Sequence, residues 1–548
     1  MASNRKSRRQ AAAGTSAAPT LFAEASRHHR AGDLVKAEKL YRQGLSKEPG
    51  NGAAHHALGV LYAQSGRMTT ALKSLGRATE LVPGNPEWLS DLGNALLAVG
   101  RSDESVAAYE RAVAIAPGFA VAHYNLANAL RVAGKPAEAI PVYRRAAELS
   151  PEVPQIHANL GVTLLQCLDF PAAEAALAHA VALRPDFAEA HYNLGIVYTK
   201  MGDFDHAMES LAAALRLDPD FAIAHVNLGN LALARGDSTA AIASYRRAIE
   251  LDADIVEAHA NIGNALHDLD RFQEAADAIR HALAMDPDYV RGHVNLGITL
   301  ERLDDYDAAI DSYKRALNID PTDIRALSYA TLALQHVGRH REASAIFDVE
   351  NFVRIVEVDD VEGWDSVTAF NSALIEHVCG HPTLMRDRPE KSTTIGSQSL
   401  NILYDDNAAI NSLRSRIERE VTDYMETVLS RPESPFADRP PNNWTLTGWG
   451  VVLDSGGYQG PHVHPDGAVS GVYYVQLPAS IAAGSNHQEG YLQFGQVIGE
   501  YDSRSPLLHA IQPHEGRMVL FPSWFWHRTI PFESATNRIS IAFDAVRG

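Results

Sequence analysis

The spacing of apolar and polar residues divides the chain into a long helical part and a shorter strand-rich part. Through the first 323 residues, apolar positions recur with helical spacing, and a helix-ending turn returns every 34 residues without an insertion. The turn position is occupied in succession by Pro49, Pro83, Pro117, Pro151, Pro185, Pro219, Ala253, Pro287 and Pro321. This regularity predicts nine equal units, each a pair of packed helices.

Small residues recur within each unit at two positions where the paired helices must touch. The eighth position holds Gly59, Gly93, Ala127, Gly161, Gly195, Gly229, Gly263 and Gly297, and the twentieth is Ala in most units. The period and the helix–turn–helix pattern resemble the tetratricopeptide repeat. We therefore expect an all-α tetratricopeptide repeat superhelix over residues 18–348. Its last part, 324–348, reads as an imperfect tenth pair that caps the stack.

The 34-residue period is lost from about Asn351, and the remaining chain changes character. STTIGSQSLNIL, starting at Ser392, predicts a strand or an extended segment, and LRSRIEREVTDYMETVL, starting at Leu413, predicts an amphipathic helix. From Asn443 onward the pattern is that of strands: TLTGWGVVL, VSGVYYVQL, GYLQFG, RMVLFP and RISIAF, separated by Gly, Pro, Asn and Asp. Consecutive short strands without intervening helices predict a double-sheet jelly roll with flanking helices over residues 350–548.

Charge and cysteine content narrow the classes of partner. Acidic residues number 67 against 48 basic ones, and the net charge is −19. This balance argues against nucleic acid or an anionic membrane as the main partner. No apolar run approaches the roughly 20 residues of a membrane span. Residues 1–17 read as a disordered basic tail. With Cys167 and Cys379 alone, no disulfide framework or cysteine metal site is expected, and a reducing cytoplasm is the predicted location.

Asparagines form a second periodic feature in the repeats, each two residues after a histidine. They are Asn125, Asn159, Asn193, Asn227, Asn261 and Asn295. Their position on the first helix of each pair predicts a ladder along the concave groove, where carboxamides can hydrogen-bond an extended peptide. The AHYNLG and AHVNLG strings resemble the repeats of O-linked N-acetylglucosamine transferases, which implies polypeptide binding. The alternative is that these asparagines suit a solvated helix face or cap a turn.

The accompanying histidines call for a separate interpretation. They are His123, His157, His191, His225, His259 and His293. One per repeat, on helix pairs stacked about 10 Å apart, is too sparse for a shared metal site. We interpret them as packing or hydrogen-bonding residues of the helix pairs.

Metal-binding residue types are concentrated in the last ninety residues. His462 and His464 are two positions apart, so on a strand both side chains would share one face. His464-Pro-Asp466 is a His-x-Asp pair and His462-Val-His464 is a His-x-His pair; in either case His527 could close the site. Imidazole and carboxylate ligands of this kind suit Fe(II).

An arginine lies at the head of the next strand. Arg538 and Ser540 supply a guanidinium and a hydroxyl suited to the distal carboxylate of 2-oxoglutarate. Tyr474, within VYYVQL, is either a co-substrate contact or a core aromatic.

The order of sequence blocks resembles a family of oxygenases. HVHPDG, SGVYYV, GYLQFG, EGRMVLFPSWFWH and RISIAF are similar to blocks of 2-oxoglutarate- and Fe(II)-dependent oxygenases that follow tetratricopeptide repeats in bacteria. The resemblance implies a double-stranded β-helix, Fe(II), 2-oxoglutarate and oxygen. Both histidines of HxHP are the fixed feature of that family, which favours His462, His464 and His527 as ligands over Asp466.

The two parts together predict a dioxygenase that hydroxylates a peptide or protein captured by its repeat groove. Two other hypotheses remain open. In one, the repeats are a non-catalytic scaffold for protein partners and the jelly roll is degenerate. In the other, the β domain is a metalloenzyme that does not use the keto acid, since three histidines without a carboxylate depart from the usual facial triad.

Overall fold

The structure, a computed structural model, describes residues 17–388, 392–441, 443–482, 488–495 and 508–547. The predicted basic tail lies outside the described residues except for Ala17. The chain divides into two compact units, Met1–Ala253 and Asp254–Gly548. Within the described ranges, no helix combines the length and the apolar character needed to cross a lipid bilayer.

Twenty helices form the repeat part, and consecutive helices pack as antiparallel pairs. Those of the first unit are α1 (Ala18–Arg30), α2 (Leu34–Lys47), α3 (Gly52–Gln64), α4 (Met68–Leu81), α5 (Pro86–Leu97), α6 (Ser102–Ile115), α7 (Ala120–Val132), α8 (Pro136–Leu149), α9 (Pro154–Gln166), α10 (Phe170–Leu183), α11 (Ala188–Met201), α12 (Phe204–Leu217), α13 (Ala222–Ala234) and α14 (Ser238–Leu251). The second unit begins with α15 (Val256–Asp268), α16 (Phe272–Met285), α17 (Val290–Glu301), α18 (Tyr306–Ile319), α19 (Ile324–His336) and α20 (His340–Ile346). The predicted tetratricopeptide repeat architecture is confirmed, and the capping pair ends in a helix of only 7 residues.

The periodic residues explain how each pair is held. A Cβ on Gly229 would lie 2.5 Å from the Tyr245 ring, so the small residue is required where the helices cross. In five of the periodic histidines, Nε2 forms a hydrogen bond with the carbonyl oxygen of the turn proline six residues earlier. The distance from His191 Nε2 to the Pro185 oxygen, for example, is 3.0 Å. This confirms the interpretation of these histidines as hydrogen-bonding residues.

In the remainder of the second unit, the described residues form ten strands and four further helices. The helices are α21 (Val349–Phe352), α22 (Val367–Gly380), α23 (Ala408–Tyr424), which continues as a π-helix over Met425–Leu429, and α24 (Ala479–Ala482). The strands are β1 (Arg354–Glu357), β2 (Met385–Arg386), β3 (Thr393–Gln398), β4 (Trp444–Gln459), β5 (Gly467–Gln476), β6 (Leu492–Phe494), β7 (His509–Ile511), β8 (Arg517–Pro522), β9 (His527–Thr529) and β10 (Arg538–Arg547).

The strands form two antiparallel sheets. One has the order β1-β8-β5-β10-β4-β3-β2 and the other the order β7-β6-β9. Every strand predicted from the sequence is present, as is the helix predicted from Leu413. Four strands were not predicted: β1, β2, β7 and β9. Each has four residues or fewer, too short for alternation to be distinguished from a loop.

The last repeat helices share a core with the β domain. Ser328 Oγ on α19 donates to the carbonyl of Trp524 at 2.9 Å. Trp524 Nε1 donates to the carbonyl of Ile346, at the end of α20, at 3.0 Å. The rings of Phe347 and Phe525 stack at 4.2 Å. Secondary structure therefore changes near residue 349, as the sequence pattern indicates, but helices and strands on either side of that point belong to one compact unit.

Candidate metal centre

Backbone pairing brings distant histidines together. His462 lies in the connection between β4 and β5, and its N–H donates to the carbonyl of His527 at 3.0 Å. The N–H of His527 returns a bond of 3.1 Å to the carbonyl of His462, so one isolated antiparallel bridge joins the connection to β9. His464 donates its N–H to the carbonyl of Ser523 at 3.1 Å. The two histidines of the HxH pair are therefore held by these bridges and not by the alternation of a strand.

Hydrogen bonds orient all three imidazole rings. Nδ1 of His462 and Nδ1 of His527 lie 2.7 and 2.9 Å from the backbone carbonyl two residues earlier in each case. Nδ1 of His464 lies 2.7 Å from Asp544 Oδ2. Because carbonyl and carboxylate oxygens only accept, each Nδ1 carries the proton and each Nε2 keeps a lone pair. One donor atom from each ring lies within 4.8 Å of the other two.

The electrostatics favour neutral rings at His462 and His527. Burial, with a smaller contribution from the neighbouring His464, lowers the pKa of His462 to about 3. Burial likewise holds the pKa of His527 well below its usual value. Nε2 of His464 is buried and has no hydrogen-bond partner among the described residues. Imidazoles whose Nε2 lone pairs converge fit a divalent transition metal, so the residues present suit the Fe(II) that the sequence resemblance implies.

Asp544 is a functional residue that the sequence interpretation missed. Its second oxygen, Oδ1, accepts a hydrogen bond from Ser470 Oγ at 2.7 Å, and Ser470 in turn lies 2.9 Å from Ser523 Oγ. A carboxylate behind a ligating histidine fixes the ring and raises its basicity. The sequence does carry a signal that could have identified Asp544. Because side chains alternate along a strand, Asp544 lies on the same face of β10 as Arg538. A carboxylate buried in an apolar strand is also rare.

The sequence-predicted arginine is buried beside the histidines. Arg538 is 1% exposed, and its guanidinium carbon lies 5.1 Å from the centre of the Tyr474 ring. Nη1 is 3.4 Å from Ser540 Oγ, while Nε has no partner within the described part of the chain. Burial lowers the pKa of Arg538, because the charged form is poorly solvated. Arg538, Tyr474 and the three histidines line the same narrow cavity. Arg538 has no carboxylate partner among the residues that the structure describes, and a buried cation in that state calls for an anionic ligand.

Asp466 lies apart from the three-histidine group. It is exposed on the turn that follows His464 and is not among the donor atoms that converge. It borders two larger cavities instead. Its participation as a metal ligand therefore remains a prediction that would require the turn to move.

The asparagine ladder is hydrogen-bonded within the repeats. Nδ2 of Asn159 and of Asn227 each donate to a tyrosine hydroxyl one repeat earlier, at 2.9 and 2.8 Å. The amide of Asn125 contacts Asn94 at 3.4 Å and that of Asn193 donates to the carbonyl of Glu189 at 2.8 Å.

In the second unit, Asn261 and Asn295 are each 7% exposed and line a cavity that Asp466 also borders. The ladder therefore takes part in packing between repeats, and peptide binding by it stays a prediction.

Comparison with known proteins assigns both parts of the chain. Residues 447–544 match the profile of the family described as "Putative 2OG-Fe(II) oxygenase". This range contains all three histidines, Arg538 and Asp544. Tetratricopeptide repeat profiles match residues 28–92, 90–154, 130–192, 196–254 and 260–324. Comparison with curated proteins gave no match.

Several solved structures are similar over part of the chain. MamA is 25% identical, with a TM-score of 0.29, over 30% of this chain and 95% of its own. YrrB, described as a TPR protein with an unusual peptide-binding site, is 24% identical, with a TM-score of 0.30, over 34% and 95%. A tetratricopeptide repeat protein from Parabacteroides merdae is 17% identical, with a TM-score of 0.37, over 45% and 98%.

Proposed function

Because this chain is a tetratricopeptide repeat protein with a domain of the "Putative 2OG-Fe(II) oxygenase" family, we propose that it is a 2-oxoglutarate- and Fe(II)-dependent dioxygenase. Its substrate in this proposal is a peptide or protein presented by the repeats. The observation that carries the proposal is one cavity lined both by three histidine rings and by the buried Arg538, which has no carboxylate partner among the described residues. A metal and an anionic co-substrate satisfy both features at once.

The histidines would hold the metal through Nε2. When bound, Fe(II) supplies the redox chemistry by which dioxygen gives one oxygen atom to the succinate formed as 2-oxoglutarate loses CO₂, and the other to a substrate C–H bond. His464 is kept in the ligating tautomer by Asp544 at 2.7 Å, and His462 and His527 by backbone carbonyls. The chain thus fixes the tautomer in which each ring can offer Nε2 to the metal.

Arg538 would bind the distal carboxylate of the keto acid. Its fork of donors suits a carboxylate, and Ser540 Oγ offers a further hydrogen bond. The Tyr474 ring and the apolar side chains of Leu492 and Phe521 complete the wall of this cavity. These walls exclude water, so the guanidinium–carboxylate attraction is stronger there than on a surface.

Two adjoining cavities support delivery of a substrate from the last repeats. One, of about 540 Å³, is bordered by His462, His464 and Trp449. The other, of about 600 Å³, is bordered by Asn261, Asn295 and other residues of α15 and α17. Pro465 and Asp466 line both cavities. A polypeptide lying along these helices would pass Asp466 on its way to the metal, which suits Asp466 as a substrate contact.

The test is anaerobic binding of Fe(II) and 2-oxoglutarate to the purified chain, followed by succinate release in air. His527→Ala is expected to remove one equivalent of bound Fe(II) per chain, because it removes a ligand of the three-histidine centre. Arg538→Met is expected to retain the metal and to weaken 2-oxoglutarate binding by 30-fold or more, since losing one partner of a buried charge pair costs about 2–5 kcal/mol. Arg528→Met is the matched control, because Arg528 on β9 donates to Gln493 outside the cavity.

Each rival hypothesis has its own outcome in this experiment. Failure of the intact chain to bind Fe(II) would leave the repeat scaffold with a degenerate β domain. Metal binding with a 2-oxoglutarate affinity that Arg538→Met does not change would favour a metalloenzyme without the keto acid. An unchanged amount of Fe(II) bound per chain in His527→Ala would show that the ligand assignment is wrong.

A further inference from the structure

A second cluster of histidines and a carboxylate lies at the end of α22. His377 and His381 are four positions apart, so their side chains share one face of the helix end. Nε2 of His377 lies 2.8 Å from Asp405 Oδ2, and Nε2 of His381 lies 2.9 Å from the same oxygen. One donor atom from each residue lies within 4.8 Å of the other two. None of the three lines a cavity of the oxygenase site.

The geometry is close to that of a metal site. In a tetrahedral Zn²⁺ site with bonds of about 2.0–2.1 Å, neighbouring donor atoms are about 3.3 Å apart. The two nitrogen–oxygen distances here are shorter, at 2.8 and 2.9 Å; the first is a hydrogen bond and the second an ion-pair contact. Widening each distance by about half an ångström requires small side-chain rotations only.

The surroundings permit the exchange of protons for a metal ion. Nδ1 of His381 lies 2.9 Å from Thr383 Oγ1, an acceptor that stabilises the tautomer with Nε2 free. The N–H of Thr383 donates to the same Nδ1 at 3.2 Å and supports the other tautomer, in which Nε2 carries the proton and lies 2.9 Å from Asp405 Oδ2. Nδ1 of His381 therefore has a hydrogen-bond partner in either tautomer.

The position also favours a cation. The cluster sits at the C-terminal end of the 14-residue helix α22, where the partial charge of the helix is negative. The three side chains are 18%, 9% and 30% exposed, so solvent can reach the cluster and supply a fourth ligand.

We propose that His377, His381 and Asp405 form a second metal site, distinct from the three-histidine centre, that binds Zn²⁺ or a similar divalent transition metal. Two imidazoles and one carboxylate suit such an ion, whereas Mg²⁺ and Ca²⁺ prefer oxygen ligands throughout. The site is independent of the proposed oxygenase activity, because it shares no residue with it.

Hydrogen bonds connect this site to the wall of the substrate-side cavity. Thr383 Oγ1, beside His381, accepts from the N–H of Leu400 at 2.9 Å. Leu400 and Asn401 line the cavity of about 540 Å³ that borders His462 and His464. Asn401 Oδ1 accepts from the N–H of Gly448 on β4 at 3.0 Å. A metal ion at His381 would therefore help to hold this segment in place, a structural role that does not require the ion to take part in chemistry.

The experiment is Zn²⁺ titration of the full-length chain after removal of metal by chelation, in a His527→Ala background that disables the three-histidine centre. We expect one Zn²⁺ per chain to survive dialysis against a weak chelator. Adding His377→Ala or Asp405→Asn should weaken this binding by at least 100-fold. Asp405→Asn keeps a hydrogen-bond acceptor of the same shape, so the fold is retained even if His377→Ala disturbs the helix end.

The control is His340→Ala in the same background, because the chain has 24 histidines and several could bind Zn²⁺ weakly. His340 is exposed at the start of α20, and its loss should leave the stoichiometry at one. The proposal is overturned if the His527→Ala chain retains no Zn²⁺, or if Asp405→Asn binds it as tightly as its parent. Neither result bears on the proposed oxygenase. That proposal is tested separately, by measuring the metal that the Asp405→Asn chain binds when all residues of the three-histidine centre are intact.

Discussion

Asp544 fixes the tautomer of His464, which lies 80 positions earlier in the chain. Its Oδ2 accepts a hydrogen bond from Nδ1 of His464, with 2.7 Å between the two atoms, and its Oδ1 accepts one from Ser470 Oγ. The ring can therefore offer only Nε2 to a metal. The other two histidines obtain the same tautomer from backbone carbonyls, which no side-chain substitution removes directly. Asp544 is thus the point at which a conservative change can weaken the site while all three imidazoles stay in place.

Replacing Asp544 by Asn is expected to lower the affinity for Co²⁺, used as a spectroscopic probe for Fe(II), by about 10–100-fold. The amide is neutral and a weaker acceptor, so the His464 ring loses both basicity and orientation. Visible absorption during Co²⁺ titration measures the change. Asp466→Asn is the control, with no expected effect on Co²⁺ affinity. A loss of affinity in that control would instead identify Asp466 as a ligand.

At the scale of elements, close approach of paired helices explains the small residues of the repeats. Gly229 on α13 faces Tyr245 on α14, whose hydroxyl donates to Asn230 Oδ1 at 2.7 Å. The glycine and the tyrosine therefore act as one packing unit, with the ring filling the space that a Cβ would take.

Gly229→Ala is expected to destabilise its repeat by about 1–3 kcal/mol, because the added methyl overpacks the crossing. Gly76→Ala is the matched control. Gly76 also lies within a helix, α4, but a Cβ there would meet nothing within 4 Å. Removing backbone freedom at Gly76 should stabilise its helix by roughly 0.5–1 kcal/mol. Amide hydrogen exchange in α13–α14 and in α4 measures both effects locally. Equal effects at the two glycines would contradict this account of the packing.

At the scale of the whole molecule, the second compact unit combines repeats with strands. Trp524 is fully buried between the two kinds of structure, and its indole donates to the carbonyl of Ile346. Phe347 and Phe525 add a stacked pair at the same place. Removing the helices α19 and α20 would leave this aromatic cluster exposed to water.

A fragment of residues 254–548 is therefore expected to fold, with the near-ultraviolet circular dichroism of packed tryptophans and a protease-resistant core. A fragment of residues 350–548 should lose that signal and be cleaved faster, because burial of each large aromatic side chain is worth about 1.5–3 kcal/mol. Limited proteolysis of the two fragments side by side is the measurement. Equal resistance would show that the β domain folds without the last repeats.

The candidate site was predictable where it rested on local spacing and not where it rested on distant pairing. The HxH pair, His527 and Arg538 stand out as residue types that are rare in strand-rich segments, and the structure places them around one cavity. Asp544 reaches His464 only because β10 lies between β4 and β5 in the sheet. The bridge between His462 and His527 likewise depends on the fold.

The sequence by itself determined the repeat period, the small residues of the helix crossings, the longer strands and the residue types of the metal centre. All of these follow from periodicity and side-chain chemistry, which act over a few residues and can be read along the chain. Only the tertiary structure decided which histidine nitrogens are free, which carboxylate supports them, where Asp466 lies, and that the last repeats join the β domain in one unit. Those outcomes depend on strand order and register, since hydrogen bonds between distant residues form only after the whole chain has packed.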